Sequence, residues 1–208
     1  MKTSRLLSAV ALICVSALAM TSCGSEEKRL ASEMTGIWTA SPETFADNQA
    51  VTATITDTYC FSPDSAMVSD KFPIGPMEVS AEIQMNTQVL ASGDGQEPLS
   101  LSASALATVM GTWMVTDDDE VQISFDPTTI TVSVDPDQIV TTGALIGGSE
   151  TTSVDSMKPQ VAANLENNLR TALATRYAGV RMLDDVKVKG NTLKYEVGHR
   201  DFVMTRAQ

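Results

Sequence analysis

Cysteine, histidine and basic side chains are scarce in this chain. Among its 208 residues there are three cysteines and one histidine, and 14 Lys and Arg face 26 Asp and Glu, for a formal net charge of −12. Because phosphate backbones are bound by basic surfaces, this balance argues against a nucleic-acid partner. Charged residues make up only 19% and apolar residues 43%, which excludes an intrinsically disordered chain and provides enough apolar side chains for a packed core.

The scarcity of cysteine and histidine leaves few side chains that could act as catalytic groups or metal ligands. His199 stands beside Arg200 and Asp201, and a lone histidine near a hairpin is typical of an exposed turn. The sequence has no zinc-ligand spacing, P-loop, dinucleotide fingerprint or Gly-x-Ser-x-Gly elbow. The densest acidic run, 117–120, lacks the alternation of a calcium loop and predicts a hairpin turn. We expect no enzymatic activity, no cofactor and no metal.

Residues 1–22 predict a signal peptide. Lys2 and Arg5 precede an apolar run over 6–20, whose helical length of about 22 Å is short of the roughly 30 Å needed to cross a bilayer. The next residues, Met20-Thr21-Ser22-Cys23, resemble the lipobox of bacterial lipoproteins, which implies that Cys23 is acylated and becomes the mature N-terminus. The alternative is ordinary secretion, with cleavage after Ala19.

A lipidated Cys23 would tether the protein to a membrane. Gly24 follows the cysteine where the inner-membrane retention signal has aspartate, so the resemblance implies the outer membrane. The polar residues of 23–33 predict a tether to the folded domain, 34–208. Because Cys14 leaves with the signal and Cys23 carries lipid, we expect no disulfide within the mature domain.

Apolar and polar residues alternate along most of the mature chain. This period of two is typical of antiparallel strands with one face in the core and the other in water. Turn signals such as Gly75-Pro76, Asp126-Pro127 and Gly190-Asn191 separate them. The pattern predicts a single all-β domain, a sandwich or a barrel. The alternating segments are 51–56, 77–86, 99–105, 121–125, 130–134, 186–188, 193–197 and 202–206.

One segment has the helical period of 3.6. From Asp155 or Ser156 to about Tyr177, apolar residues recur on one face, and Gly179 ends the pattern. We expect an amphipathic helix that covers a sheet. The stretch before it, 141–153, is rich in Gly and Thr and predicts a connector.

Two Gly-x-Trp motifs carry the resemblance of the whole domain. Gly36-Ile37-Trp38 opens the folded part, Gly111-Thr112-Trp113 recurs later, and a terminal strand ends at Arg206. This ordered set, with the late helix, resembles the bacterial lipocalin-like lipoproteins. The resemblance implies an up-and-down antiparallel β-barrel, with Arg206 packed over Trp38, and it gives these glycines and tryptophans the structural role of closing the barrel.

The resemblance also implies what such a barrel does. An eight-stranded barrel has room for one small ligand or for side chains alone. We therefore expect a non-enzymatic envelope lipoprotein that binds a small apolar or amphipathic molecule, and the small or flexible side chains of Met85, Ala103, Ala105 and Met114 are predicted to line its lumen. The alternative is a filled barrel that serves as a structural or protein-interaction lipoprotein at the cell surface.

Overall fold

The structure, a computed structural model, describes residues 26–47, 51–63, 73–89, 99–142 and 154–207. The predictions for the signal peptide, for Cys23 and for residues 143–153 of the connector lie outside these ranges.

The described residues form ten strands and two α-helices, mostly β as predicted. The helices are α1 (Glu26–Met34) and α2 (Val154–Arg176). The strands are β1 (Gly36–Ala40), β2 (Glu43–Asp47), β3 (Val51–Phe61), β4 (Ile74–Val89), β5 (Leu99–Val115), β6 (Val121–Val134), β7 (Val140–Thr142), β8 (Val180–Lys189), β9 (Thr192–Val197) and β10 (Arg200–Arg206).

Eight of these strands close into an antiparallel barrel. The chain of pairings runs β1–β3–β4–β5–β6–β8–β9–β10 and returns to β1. Trp38 closes the ring, since it lies opposite Tyr59 of β3 on one side and opposite Arg206 of β10 on the other. The two remaining strands add to existing neighbours, β2 to β3 and β7 to β5. The predicted up-and-down barrel is confirmed.

The alternation read from the sequence sorts side chains between the two faces of the barrel wall. On β4 and β5, Ile83 and Ala105 lie opposite each other and are buried. Their neighbours on the outer face pair across strands through polar side chains, as where Ser104 donates to the Gln84 side chain at 2.9 Å. Cross-strand polar pairs of this kind stabilise a sheet face that water also reaches.

Helix α2 is confirmed over nearly the predicted range. Leu173 and Tyr177 are buried at its C-terminal end, and Gly179 follows with a φ of +82°, the left-handed conformation that ends helices. The helix packs against β6, where Glu166 accepts a hydrogen bond from the Val134 amide at 3.0 Å. It thus covers the part of β6 that lies beyond the β6–β8 pairing.

The predicted tether is wrong for residues 26–33, which form α1 instead. Leu30, Ala31 and Met34 are buried, and their spacing places them on one face of the helix. That face covers one end of the barrel. In the sequence, the polar residues between these three apolar ones hide the apolar face of the helix. The folded domain therefore includes α1.

Two of the predicted turns lie within strands. Gly75 and Pro76 are part of β4, where they pair with Trp113 and Thr112 of β5. Asp126-Pro127 lies within β6 at a break in register, where Met110 of β5 is opposite Asp126 and the next pair joins Thr108 to Thr131. β5 advances two residues here while β6 advances five, so the pairing is interrupted although β6 continues in the same direction. The turn at Gly190-Asn191 is confirmed between β8 and β9.

Cys60 is disulfide-bonded in this structure. Its partner is Cys14 or Cys23, so the expectation that a mature domain without Cys14 and with an acylated Cys23 has no disulfide stays a prediction. The other cysteine of this pair lies outside the described residues. Neither described helix is long and apolar enough to cross a membrane.

Candidate ligand cavity

One end of the barrel is closed around Trp38. Its indole Nε1 donates to the Met34 carbonyl at 2.6 Å, and the Arg206 guanidinium lies 4.1 Å from the ring centroid. Arg206 also donates to the carbonyls of Glu33 and Thr35 at 2.7 and 2.9 Å, so it connects the end of α1 to strand β10. Gly36 has a φ of +126°, and a Cβ there would lie 2.7 Å from the guanidinium. The contact between Arg206 and Trp38 implied by the resemblance is present.

Trp113 fills the same end from the opposite wall. Its indole donates to the Ser62 carbonyl at 3.0 Å, and its ring meets Phe61 edge-on with centroids 5.6 Å apart. Gly111 allows close strand packing, because a Cβ there would strike the Ser124 carbonyl. This second Gly-x-Trp motif lies near the end of β5 and does not begin a strand, since the alternation runs unbroken from Leu99.

The other half of the barrel interior contains a cavity of about 570 Å³. Most of its apolar and aromatic lining comes from inward-facing residues of β1, β3, β6, β8, β9 and β10, and the rest comes from the gap beside β2 and β10. Charged side chains line it near α2 and β2 and at the start of β10. The apolar and aromatic lining residues are Ala40, Pro42, Phe45, Ile55, Tyr59, Ile123, Phe125, Leu183, Tyr195, Val197, Phe202, Val203 and Met204; the charged ones are Glu43, Asp57, Arg176, Arg181, Arg200 and Asp201.

The cavity opens where β1 and β10 separate. These strands pair only from Trp38 to Ala40 on β1. Beyond Pro42 the chain continues as β2, which pairs with β3 alone. Phe45 of β2 and Val203 of β10 lie at this gap and are 45% and 39% exposed. The gap is an opening between the two strands with apolar side chains at its edge.

A buried ion pair joins the end of α2 to the barrel wall. Asp57 on β3 is 2% exposed and accepts hydrogen bonds from Arg176 at 2.8 Å and from the Tyr177 hydroxyl at 2.7 Å. Arg176 also donates to Glu43 of β2 at 2.8 Å. One arginine therefore ties α2, β2 and β3 together at the cavity.

Arg181 is the second cation of the cavity, and its surroundings differ. It donates to the Arg176 backbone carbonyl and lies over the rings of Phe125 and Tyr177, with its Cζ 5.3 and 5.9 Å from their centroids. Within the described ranges it has no carboxylate partner. Arg181 lines the cavity with its remaining N–H donors. The carboxylate of Asp57 in the same cavity already accepts from Arg176 and Tyr177.

All three tyrosines of the chain are buried, and two of them line the cavity. Burial first, and then the negative charge of Asp57, raises the pKa of Tyr59 and of Tyr177; burial and then Glu43 raise the pKa of Tyr195. Among the described residues, the hydroxyls of Tyr59 and Tyr195 have no hydrogen-bond partner. They therefore retain hydrogen-bonding capacity toward the cavity.

These raised pKa values predict loss of stability in alkali. The pKa of a tyrosine is ordinarily 10.0, and the folded protein holds all three above it. Their contribution to the free energy of unfolding is thus complete below pH 10. It is lost as the pH rises above 10, because the unfolded chain releases the phenolic protons more readily than the folded one. We expect tyrosinate absorbance to appear only together with the loss of circular dichroism. A tyrosine that ionises near pH 10 in the still-folded protein would contradict this.

The predicted lumen residues do not line this cavity. Met85, Ala103 and Ala105 are buried and are not among the residues that line it. Met114 lies on the outer face of β5, because odd-numbered residues such as Trp113 face inward there. None of the four therefore lines the cavity described above.

The other residues considered from the sequence lie apart from the cavity or at its edge. His199 is exposed in the β9–β10 turn with a φ of +66°. Residues 117–120 form the turn between β5 and β6. Among the described residues, no cluster of three or more His, Cys, Asp or Glu side chains could hold a metal ion.

Sequence reasoning missed the charged end of the cavity. Asp57 interrupts the Thr-rich alternation of β3 at an inward position, between Ile55 and Tyr59. An acidic residue at a core position is a signal for a buried partner, although its partner Arg176 is too distant in sequence to be identified. The chain matches no protein-family model and no curated protein.

Proposed function

We propose that this protein is a lipid-anchored envelope protein whose barrel binds a small apolar or amphipathic molecule. The observation that carries the proposal is the cavity between the closed end of the barrel and α2. Its volume of about 570 Å³ lies within the ~300–1,000 Å³ typical of small-molecule sites. Aromatic walls with a few polar groups at one end are also typical of such sites.

The anchor follows from the lipobox-like sequence before Cys23. Two acyl chains are sufficient for stable membrane attachment, and Gly24 favours the outer membrane. Only Gly24 and Ser25 separate this cysteine from α1, a reach of about 10 Å at most. Since α1 covers the end opposite the cavity, the anchored protein would present the cavity opening away from the tethered end.

Lipidation is tested with Cys23→Ser. We expect the wild-type chain, expressed with its signal in a Gram-negative host, to incorporate labelled palmitate and to sediment with membranes, and the variant to do neither. A disulfide and a lipid thioether exclude each other at one sulfur, so the intact mass gives a second readout. A mature protein that retains Cys23 in a disulfide, or carries no lipid, contradicts the proposed anchor.

Ligand binding is tested by filling the cavity. Ala40→Trp places a large ring at a lining position, whereas Ala46→Trp makes the same change at an exposed position of β2 outside the lining. We expect the neutral fluorescent probe N-phenyl-1-naphthylamine to bind wild type and Ala46→Trp equally, and Ala40→Trp at least about tenfold more weakly, because the probe and the new ring compete for one volume. Equal binding to all three would place the probe elsewhere and remove the support for a ligand site.

A second candidate function, protein interaction, is favoured by an apolar patch on the outer wall. Val180 and Met182 of β8 are 59% and 37% exposed, and Met110 of β5 is 44% exposed. Met114 of β5 and Met182 of β8 lie on either side of Gln122 of β6, since both are paired with it. Exposed methionines adapt to varied partner surfaces. Under this alternative the barrel only holds the interaction surface in place, and Ala40→Trp would leave partner binding unchanged.

A further inference from the structure

The charged end of the cavity has spare hydrogen-bond donors, while the oxygens of its buried acidic side chain are engaged. Both carboxylate oxygens of Asp57 accept bonds, one from Tyr177 and one from Arg176. Glu43 accepts from the same arginine. Asp201, the third acidic side chain of the lining, is exposed at the rim. A cationic ligand head would therefore have to break existing ion pairs to reach a buried carboxylate.

Arg181 provides most of the spare donors. A guanidinium has five N–H groups, and the hydrogen bond of Arg181 within the described residues goes to the Arg176 carbonyl. Its contacts with Phe125 and Tyr177 are with ring faces, which leave the edge of the guanidinium available. The Nε of Arg176 is likewise buried without a partner.

Two tyrosine hydroxyls without a partner among the described residues share this part of the cavity. Tyr59 and Tyr195 are 5% and 8% exposed, line the cavity and have no hydrogen-bond partner among the described residues. The positive charge of Arg181 acts on the pKa of both phenols, so the three groups belong to one electrostatic neighbourhood. Neither hydroxyl is among the buried unpartnered atoms of the described residues, so solvent reaches both, and a ligand acceptor would replace that solvent contact.

We propose that the cavity takes an amphiphile with a carboxylate head, such as a fatty acid. The carboxylate accepts from the Arg181 guanidinium, a charge-assisted bond of the strong class, and from the hydroxyls of Tyr59 and Tyr195. The apolar chain lies along Phe202 and Met204 toward the gap between β2 and β10. This inference rests on the proposed ligand-binding function and names the chemical class of its ligand.

The proposal is tested with three ligands that share one chain and differ in the head. Titration calorimetry of the wild-type protein compares dodecanoate, dodecanol and dodecyltrimethylammonium below their micelle concentrations. We expect dodecanoate to bind at least about tenfold more tightly than dodecanol, as one charge-assisted hydrogen bond provides, and the cation to bind most weakly. If dodecanol or the cation binds as tightly as dodecanoate, the carboxylate inference is wrong while the ligand-binding function stands. If none of the three binds, both are wrong.

Variants assign the selectivity to Arg181. Arg181→Gln is expected to weaken dodecanoate by about tenfold or more and to leave dodecanol within twofold. The matched control is Arg170→Gln, on the exposed face of α2 and outside the cavity lining, which should change neither affinity. Tyr195→Phe removes one hydroxyl without changing the shape of the ring and should weaken dodecanoate alone. The assignment would be overturned if a variant that unfolds at the wild-type temperature lost affinity for both ligands. It would also be overturned if Arg181→Gln and Tyr195→Phe both bound dodecanoate as tightly as the wild type.

Discussion

Replacing Gly75 with alanine is expected to lower the free energy of unfolding by about 3 kcal/mol or more, at the upper end for overpacking a core. A Cβ at this position would strike the Ser62 carbonyl and lie 2.8 Å from Nε1 of Trp113. Both belong to a hydrogen bond that joins β5 to the end of β3. The strands would have to separate at the closed end of the barrel, because a carbonyl in a sheet cannot move aside as a flexible side chain does.

A second glycine provides the control for Gly75. Gly190 lies in the β8–β9 turn with a φ of +60°, and nothing lies within 4 Å of a Cβ placed there. Gly190→Ala should therefore cost only about 1 kcal/mol, the strain of a left-handed alanine. Chemical denaturation of both variants measures the difference. Equal losses would mean that backbone conformation, rather than close packing, explains the need for Gly75.

Replacing Asp57 with alanine is expected to cost about 3 kcal/mol, because removal of one partner leaves the others buried and unpaired. Arg176 loses one of its two carboxylate partners, and Tyr177 loses the acceptor of its hydroxyl. The side chain of Arg176 remains 19% exposed, so water relieves part of the penalty. Loss of this pair also releases α2 from β3, and we expect faster amide exchange at the end of α2.

A double-mutant cycle isolates the pair. Asp57→Ala combined with Arg176→Met should cost clearly less than the sum of the two single changes, because the double variant buries no unpaired charge. The exposed pair of Lys187 and Asp185, 2.8 Å apart at the surface, serves as the control, and Lys187→Ala should leave the denaturation midpoint unchanged. Additive effects at Asp57 and Arg176 would show that their contact contributes little.

The barrel could be predicted because its signals are local. In β4 the alternation from Met77 to Met85 is a property of neighbouring residues, and it fixes which side chains face the core whatever the pairing. The same holds for α2, whose apolar stripe has a period of 3.6. The contact of Arg206 with Trp38 was reached differently, through the resemblance carried by the Gly-x-Trp motifs.

Features that depend on contacts between distant residues were not predicted. Helix α1 was missed because its few apolar residues stand among charged ones, and they are buried only when a barrel end is present to cover. Gly75 was read as a turn because Gly-Pro is a common turn signal, whereas the real cause is the approach of another strand. The lining of the cavity described above was not predicted either, since the sequence does not say which part of the barrel wall α2 covers.

The central claim is that the barrel half bounded by β3, β6, β9 and β10 is hollow and occupied by a ligand. Native mass spectrometry tests it most directly, on residues 24–208 purified without detergent from cells that supply lipids. We predict one added small-molecule mass per chain, which is lost on denaturation and absent from Ala40→Trp but retained in Ala46→Trp. A bare protein that stays bare after incubation with dodecanoate and dodecanol would contradict the account and would favour the protein-interaction alternative.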